Sequence, residues 1–494
     1  MGAVATLGKS GDHFEFRRSG RVLKFYLVLV AIHLLSCLVV QQPTVLADEL
    51  GYLGNARYIA GVAHLPDMEG TQLYHFGYSL FLLPAFWFFA DPVSTYKAAI
   101  ATNALLASSL IFPLTFALTA WGRVSGRTAV WIAFACCLYP PLIFHSSIAW
   151  TENAYIPLYG IALVLFGRFL GSRRGRDAIL FGLATGFLYT VHPRGVPVVV
   201  GVMAYLVLLV CIRSISVRQL TWCMAATGAV VVPTRIMLSH LKTLGWASGG
   251  EALLGKLAGR MVPDGDVVAM AERMAGQLLY LIQASNGLVV LGLLGALGFI
   301  VRRLSETPLR RTLAEPIAGT LILTLLTSTG VFLASCASKL YSLHGPHGLR
   351  VGNLIYGRYN EPFGVILIAV AIAWLCRNRS RAATLHWRSS AVVAITVILT
   401  WVVVVEIDDA IARQAATRPG ESVIERIRPA DIQATSIPGI YPQIILVGGL
   451  NLIAVSTLAM ACFIVIVITM RRSHRAGLAL VIAIFSTVAV ANHR

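Results

Sequence analysis

Charge is what this 494-residue chain has least of: Asp, Glu, Lys and Arg make up 13% of it, against 57% for Ala, Val, Ile, Leu, Met, Phe, Trp, Tyr and Cys. A soluble domain carries about a quarter of its residues as charges, so that class is excluded and a polytopic membrane protein is left. Acidic residues are scarcer still, 22 against 40 basic ones, for a formal charge of +18. The basic residues fall in short clusters between apolar runs and build no contiguous basic domain or recognition motif. That excludes nucleic acid as a partner and is what positive-inside topology requires. The eight cysteines, Cys37, Cys136, Cys137, Cys211, Cys223, Cys336, Cys376 and Cys462, nearly all sit in or at the ends of apolar runs and form no C-x-x-C pair. They offer neither a disulfide framework nor a zinc site and read as small apolar residues. No polar connection is long enough for a separate soluble catalytic domain, so any chemistry has to be assembled at the membrane surface.

Arg17, Arg18, Arg21 and Lys24 precede the first apolar run, Phe25 to Val40, which is about one crossing long once Val22 and Leu23 are included. The flanking charge places a tail, residues 1–21, in the cytoplasm and the segment after the run outside. Val45-Leu46-Ala47 resembles a signal-peptide cleavage site, a rival reading weakened by the length of the run. The next run, Phe76 to Ala90, has fifteen residues against the roughly 20 needed to span. If it does not cross, the later runs alternate so that the basic connections at Arg123–Arg127, Arg173–Arg176, Arg213–Arg218, Arg302–Arg311, Arg377–Arg388 and Arg471–Arg475 all lie in the cytoplasm. If it does cross, all six move outside, against the positive-inside rule. The expectation is therefore an all-α polytopic membrane protein of about thirteen transmembrane helices with outer juxtamembrane helices. In it, 76–90 is re-entrant or interfacial. Residues 22–494 form one multi-pass domain of the plasma membrane, with outer loops at 41–75, 242–286, 335–362 and 406–443.

Polar residues collect on the outer side of that topology. Asp48 and Glu49 follow the first crossing, where a carboxylate either takes a proton from an attacking hydroxyl or caps the helix that continues through Tyr52. Ala178 to Val191 and Phe363 to Cys376 have fourteen residues each, about 21 Å of helix against ~30 Å of hydrocarbon. Their outer ends should lie below the lipid surface and draw in His192 and Arg194 at one, and Arg358, Tyr359, Asn360 and Glu361 at the other. Ionisable groups at that depth need a polar cavity or one another, and an arginine fork suits a lipid-linked phosphate; snorkelling or a structural Arg to Glu pair is the alternative. Thr151-Glu152-Asn153 opens another outer helix, either as an N-cap or as sugar-hydroxyl ligands. Val267 to Ile282 is amphipathic, as an interfacial helix would be, serving as a lid or as a connector.

These segments resemble the GT-C superfamily, multi-pass glycosyltransferases that use polyprenyl-phosphate sugars, of the protein-mannosyltransferase and aminoarabinose-transferase type. Asp48-Glu49 with Tyr52 resembles that family's D-E-x-x-Y segment. Tyr74-His75-Phe76-Gly77-Tyr78-Ser79-Leu80 is similar to its H-P-P-G-Y-x-L segment, with Phe76 in place of a proline. Thr151-Glu152-Asn153 looks like its S-E segment, Gly182 to Arg194 like its G-L-x-x-G to Arg stretch, and Gly357-Arg358-Tyr359 like a late R-Y segment, here interrupted before Pro362 by Asn360-Glu361. The likeness spans about the first 200 residues and this late segment. It implies an inverting transfer with Asp48 as base and Glu49 as the competing assignment. Arg194 and Arg358, with His192 and Tyr359, would bind the donor phosphate, and Tyr52, His75, Glu152, Asn153 and Glu361 the sugar or acceptor. No essential metal and no cofactor beyond the lipid-linked donor are expected.

The acceptor is expected to be a glycan or lipid-linked molecule. An Ala-, Val- and Arg-rich chain points to a high-GC genome, for which mannose and arabinofuranose are the expected sugars. Two other classes compete. A flippase or transporter of a lipid-linked saccharide would want a cationic cavity too, but usually shows internal repeats and midplane sites, which this chain lacks. A polysaccharide polymerase or ligase would use a large outer loop with Arg and His, for which His344, His347 and Arg350 are the candidates.

Overall fold

In hydrocarbon every backbone N–H needs a partner within its own segment, so apolar runs of this length become helices and end where Pro, Gly or charge allows the chain to turn. The computed structural model describes residues 19–38, 40, 43, 47–64, 73–122, 124–243, 267–338, 344–345, 348–349, 357–377, 382–417 and 449–491. The first half runs α1 (Ser19–Cys37), α2 (Ala47–Ile59), α3 (Ser79–Phe88), α4 (Pro92–Ser108), α5 (Ile111–Ala120), α6 (Gly126–Cys137), α7 (Pro140–Ser146), α8 (Glu152–Ser172), α9 (Gly175–Val191), α10 (Gly195–Cys211) and α11 (Val217–Thr243). The second half runs α12 (Val267–Ala284), α13 (Leu288–Glu306), α14 (Leu309–Ala314), α15 (Pro316–Ser338), a 3-10 turn (Arg358–Asn360), α16 (Glu361–Arg377), α17 (Ala382–Thr417), α18 (Gly449–Arg472) and α19 (His474–Ala491). The strands among the described residues are a two-rung antiparallel pairing of His344–Gly345 with Gly348–Leu349.

Each of the thirteen runs expected to cross is, over its described residues, a helix or a broken pair of helices. Among the described residues nine helices are long and apolar enough to span, ten if α6 and α7, bent by 61°, count as one crossing. α10 and, over His474–Val488, α19 are shorter apolar helices, and α9 occupies the remaining expected run with 17 residues. α3, inside the stretch read as re-entrant, has ten residues, about 15 Å of rise and half a bilayer core. The chain before it docks on the end of α9, with Gly77 N–H donating to Thr190 O at 2.7 Å.

Five of the six basic connections, all but Arg471–Arg475, come together at one end of the bundle. Arg173 donates to Ala314 O at 3.1 Å, Arg310 to Arg213 O at 2.5 Å and Arg377 to Gly122 O at 2.9 Å. The common side that charge alone implied is thus built from direct contacts. At the other end gather the N-terminus of α2, the start of α8, the α9–α10 junction and the 3-10 turn. α9 packs along α8 and α11, and α13 along α16.

α12 differs from the interfacial helix its amphipathic pattern suggested. It packs against α15, α17 and α18 and buries its polar side, with Arg273, Gln277 and Gln283 at most 3% exposed. A sharp turn joins it to α13 through Asn286 (φ 48°) and Gly287 (φ 77°), and a Cβ on Gly287 would meet Val392 Cγ1 at 2.9 Å. Residues 244–266, 339–343, 346–347, 350–356 and 418–443 of the expected outer loops, His347 and Arg350 among them, lie outside the described residues, as do 444–448 at the start of an expected crossing.

Candidate active site

Asp48 and Glu49 open α2, where adjacent side chains diverge by about 100° around the helix, and their surroundings differ accordingly. Asp48 is 30% exposed; its Oδ2 lies 3.0 Å from Arg358 Nη1, and its Oδ1 accepts the Tyr74 hydroxyl at 2.8 Å. Burial and the Asp48 charge hold the Tyr74 phenol above its ordinary range, so it stays a donor. Glu49 is fully buried, and its Oε1 accepts from Tyr96 Oη at 2.7 Å and from Ala149 N–H at 2.9 Å. One carboxylate faces an open space; the other ties α2 to α4 and to the α7–α8 loop.

Glu152, the first residue of α8, is fully buried and is the hub of the site. Its Oε1 accepts from Arg358 Nε at 2.8 Å and from Arg194 Nη1 at 3.0 Å. The result is a continuous chain, Asp48–Arg358–Glu152–Arg194, of two carboxylates and two guanidinium groups. Each arginine also lies over an aromatic face: Arg358 is 4.0 Å from the Trp150 centroid and Arg194 4.2 Å from that of Tyr155. Buried charges are tolerated only when paired in this way. Arg194 nevertheless keeps Nε and Nη2 buried without a hydrogen-bond partner. Buried N–H groups of a cation are seldom left so, which marks the position an anion would occupy.

The remaining expected residues fall around this chain. His192 Nδ1 accepts the Arg194 backbone N–H at 3.0 Å, and its ring lies 5.2 Å from that of Tyr359. Tyr52 is buried against Tyr74 and Tyr78, with ring centroids at 5.0 and 5.5 Å. His75 donates Nδ1–H to Tyr189 O at 2.6 Å. Burial, with the nearby Arg235 and Lys242 cations, pushes its pKa down to about 4 against the opposing pull of that hydrogen bond, so it is neutral at pH 7. Asn153 and Glu361 face the scaffold. The Asn153 amide reaches the carbonyls of His145, Ile148 and Trp150 at 2.8 to 3.1 Å. Glu361 meets His145 Nε2 at 2.5 Å and accepts the Tyr280 hydroxyl.

Trp150, Tyr155, His145, Gln277 and Tyr280 were not singled out by sequence reasoning. The last two carried a signal: Arg273, Gln277 and Tyr280 recur at i, i+4 and i+7, a polar stripe on one helix face. That stripe grips the turn bearing Arg358, because Asn360 Nδ2 donates to Gln277 Oε1 at 2.9 Å and Glu361 holds Tyr280. Gly357 is required there, since a Cβ would fall 1.9 Å from the Tyr280 ring. Among the described residues no three His, Cys, Asp or Glu side chains are grouped as metal ligands would be.

The described residues form a helical scaffold with nine candidate membrane spans and this polar cluster at one end. A solved structure with a similar fold is ArnT from Cupriavidus metallidurans bound to undecaprenyl phosphate, at a TM-score of 0.52 and 13% identity, covering 96% of this chain and 77% of that one. At that identity the likeness establishes the fold. No protein-family model and no curated protein matches the sequence.

Proposed function

We propose that the protein is an inverting GT-C glycosyltransferase that moves a sugar, mannose or arabinofuranose, from a polyprenyl-phosphate donor to a glycan or lipid-linked acceptor. The observation that carries this reading is the Asp48–Arg358–Glu152–Arg194 chain, in which the solvent-reachable Asp48 pairs with Arg358 while Arg194, at the other end, is buried and keeps two N–H donors unused. The fold it shares with an undecaprenyl-phosphate-bound protein supports the choice of donor.

The acceptor hydroxyl oxygen attacks the anomeric carbon from the side opposite the phosphate, and its proton passes to Asp48. The bond from that carbon to the phosphate oxygen breaks with its electron pair remaining on the phosphate. Arg194 and Arg358 meet the negative charge that grows on the leaving lipid monophosphate. Arg358 is shared between base and phosphate, so donor binding draws it from Asp48 and leaves that carboxylate freer to accept a proton. Glu49 serves as a support, as do Asn153 and Glu361, while Tyr52, His75, His192 and Tyr359 line or back the pocket. The positive-inside count puts this end of the bundle on the outer face of the plasma membrane, with the N-terminus in the cytoplasm.

The test is transfer from a panel of radiolabelled polyprenyl-phosphate sugars by protein in lipid nanodiscs, with Asp48→Asn as control. Transfer from one donor that is lost in the variant supports the reading and names the sugar. Absence of transfer from every donor, with tight binding of a lipid-linked oligosaccharide, sinks it in favour of a flippase or ligase.

A further inference from the structure

A second feature lies far from the chain of carboxylates and arginines. α16 begins at Glu361, beside the site, and ends at Arg377, about 24 Å further along the helix. Around that far end, between α5, α8, α13, α15 and α16, runs a crevice of about 520 Å³. That is within the ~300–1,000 Å³ typical of ligand sites. Its walls are apolar, Leu114, Leu163 and Val370 among them, and the room comes from small residues, Gly160, Gly295 and Ala296. A Cβ on Gly295 would meet nothing closer than 3.8 Å. The space is therefore open and not filled by a neighbouring helix.

The crevice also bears charge. Arg302, Arg303, Arg377 and Arg388 line it. Arg303 lies 2.6 Å from Glu315 and Arg302 2.6 Å from Glu306. Four cations stand against two carboxylates, leaving a surplus of positive charge. Arg388 is held over Trp374 and Trp387, at 4.7 and 5.3 Å, with Nε and Nη1 buried and without a hydrogen-bond partner. An apolar slot wide enough for an alkyl chain thus adjoins a guanidinium that lacks an acceptor. Water satisfies only the second of these, and a free anion leaves the slot empty. An amphiphile with one acyl tail and a phosphate satisfies both, and basic pockets between membrane helices on the cytoplasmic side take anionic headgroups.

We propose that this crevice holds one acyl chain of an anionic phospholipid from the leaflet opposite the active site, its headgroup phosphate accepting from Arg388 between Arg377 and Arg302. Binding here is independent of glycosyl transfer and of the donor.

The test uses the full-length protein in nanodiscs carrying phosphatidylglycerol with a photoactivatable acyl chain, or phosphatidylcholine with the same chain, and maps the cross-linked peptides. Cross-links from phosphatidylglycerol should fall on α5, α8, α13 and α16 and exceed those from phosphatidylcholine by about tenfold. Arg388→Ala should abolish that preference, and Gly295→Leu, which fills the slot, should remove the cross-links. Equal labelling by the two lipids in the unmutated protein overturns the proposal whatever the variants do, and so does labelling confined to the outer surface. Displacement of the phospholipid by millimolar inorganic phosphate would reduce the feature to an anion site and overturns it. Displacement by undecaprenyl phosphate would assign the slot to the donor tail and overturns it equally.

Discussion

Replacing each of the two adjacent carboxylates separates reaction from scaffold. In Asp48→Asn the acceptor proton loses its destination, and general-base catalysis contributes about 10²–10⁴ in rate, or about 3–5 kcal/mol of barrier. The same change touches stability little. Asp48 is 30% exposed, Asn keeps the oxygen that accepts from Tyr74, and Arg358 retains Glu152 at 2.8 Å. Glu49→Gln has the opposite profile. Its buried Oε1 accepts two hydrogen bonds, from Tyr96 and Ala149, and weakening them in a buried position costs about 1–3 kcal/mol. No reacting atom is involved, so turnover per folded molecule stays within about threefold, a barrier change of under about 1 kcal/mol. The assay is single-turnover transfer from the preferred polyprenyl-phosphate sugar in nanodiscs, with thermal unfolding monitored on the same preparations. Asp48→Asn that keeps wild-type turnover, or Glu49→Gln that is fully stable yet inactive, would refute the assignment of roles.

Glu152→Gln removes the negative charge shared by two buried guanidinium groups and should destabilise the protein by about 3–5 kcal/mol; an unchanged unfolding midpoint would show that the hub is not the site's charge balance. Arg358→Ala should raise the donor KM or lower kcat through loss of phosphate contact, and unchanged kinetic parameters would demote the late R-Y segment to scaffold. His75 has a folded pKa depressed to about 4, against ~6.5 unfolded. Its contribution to stability is complete above pH ~6.5 and is lost as pH falls towards 4, so the unfolding midpoint should drop over that window, and drop less in His75→Gln. An accessibility tag between Arg173 and Arg176 should be reached only from the cytoplasmic side; labelling from outside would invert the topology.

How much was legible in the sequence varied with distance along the chain. The helices were legible because lipid forces each apolar run to satisfy its own backbone, and that constraint is local. The common side of the basic connections followed from charge counting alone, and the contacts of Arg173, Arg310 and Arg377 realise it. α12 was not legible as a packed helix. An amphipathic pattern states that two faces differ, and in a membrane protein the polar face can turn inward as readily as outward.

The sequence by itself determined a helical membrane protein with polar segments at one end and named the residues that meet there. Only the tertiary structure decided what each of them touches. Asp48 and Glu49 are neighbours in the chain, and nothing in their order distinguishes a reachable carboxylate from a buried one. Arg358 lies 206 positions from Glu152, and no local rule pairs residues so far apart. Hydropathy acts on a segment through its surrounding solvent, so it can be read one segment at a time. Hydrogen bonds and ion pairs act between particular atoms over about 3 Å, so they exist only once the helices have packed.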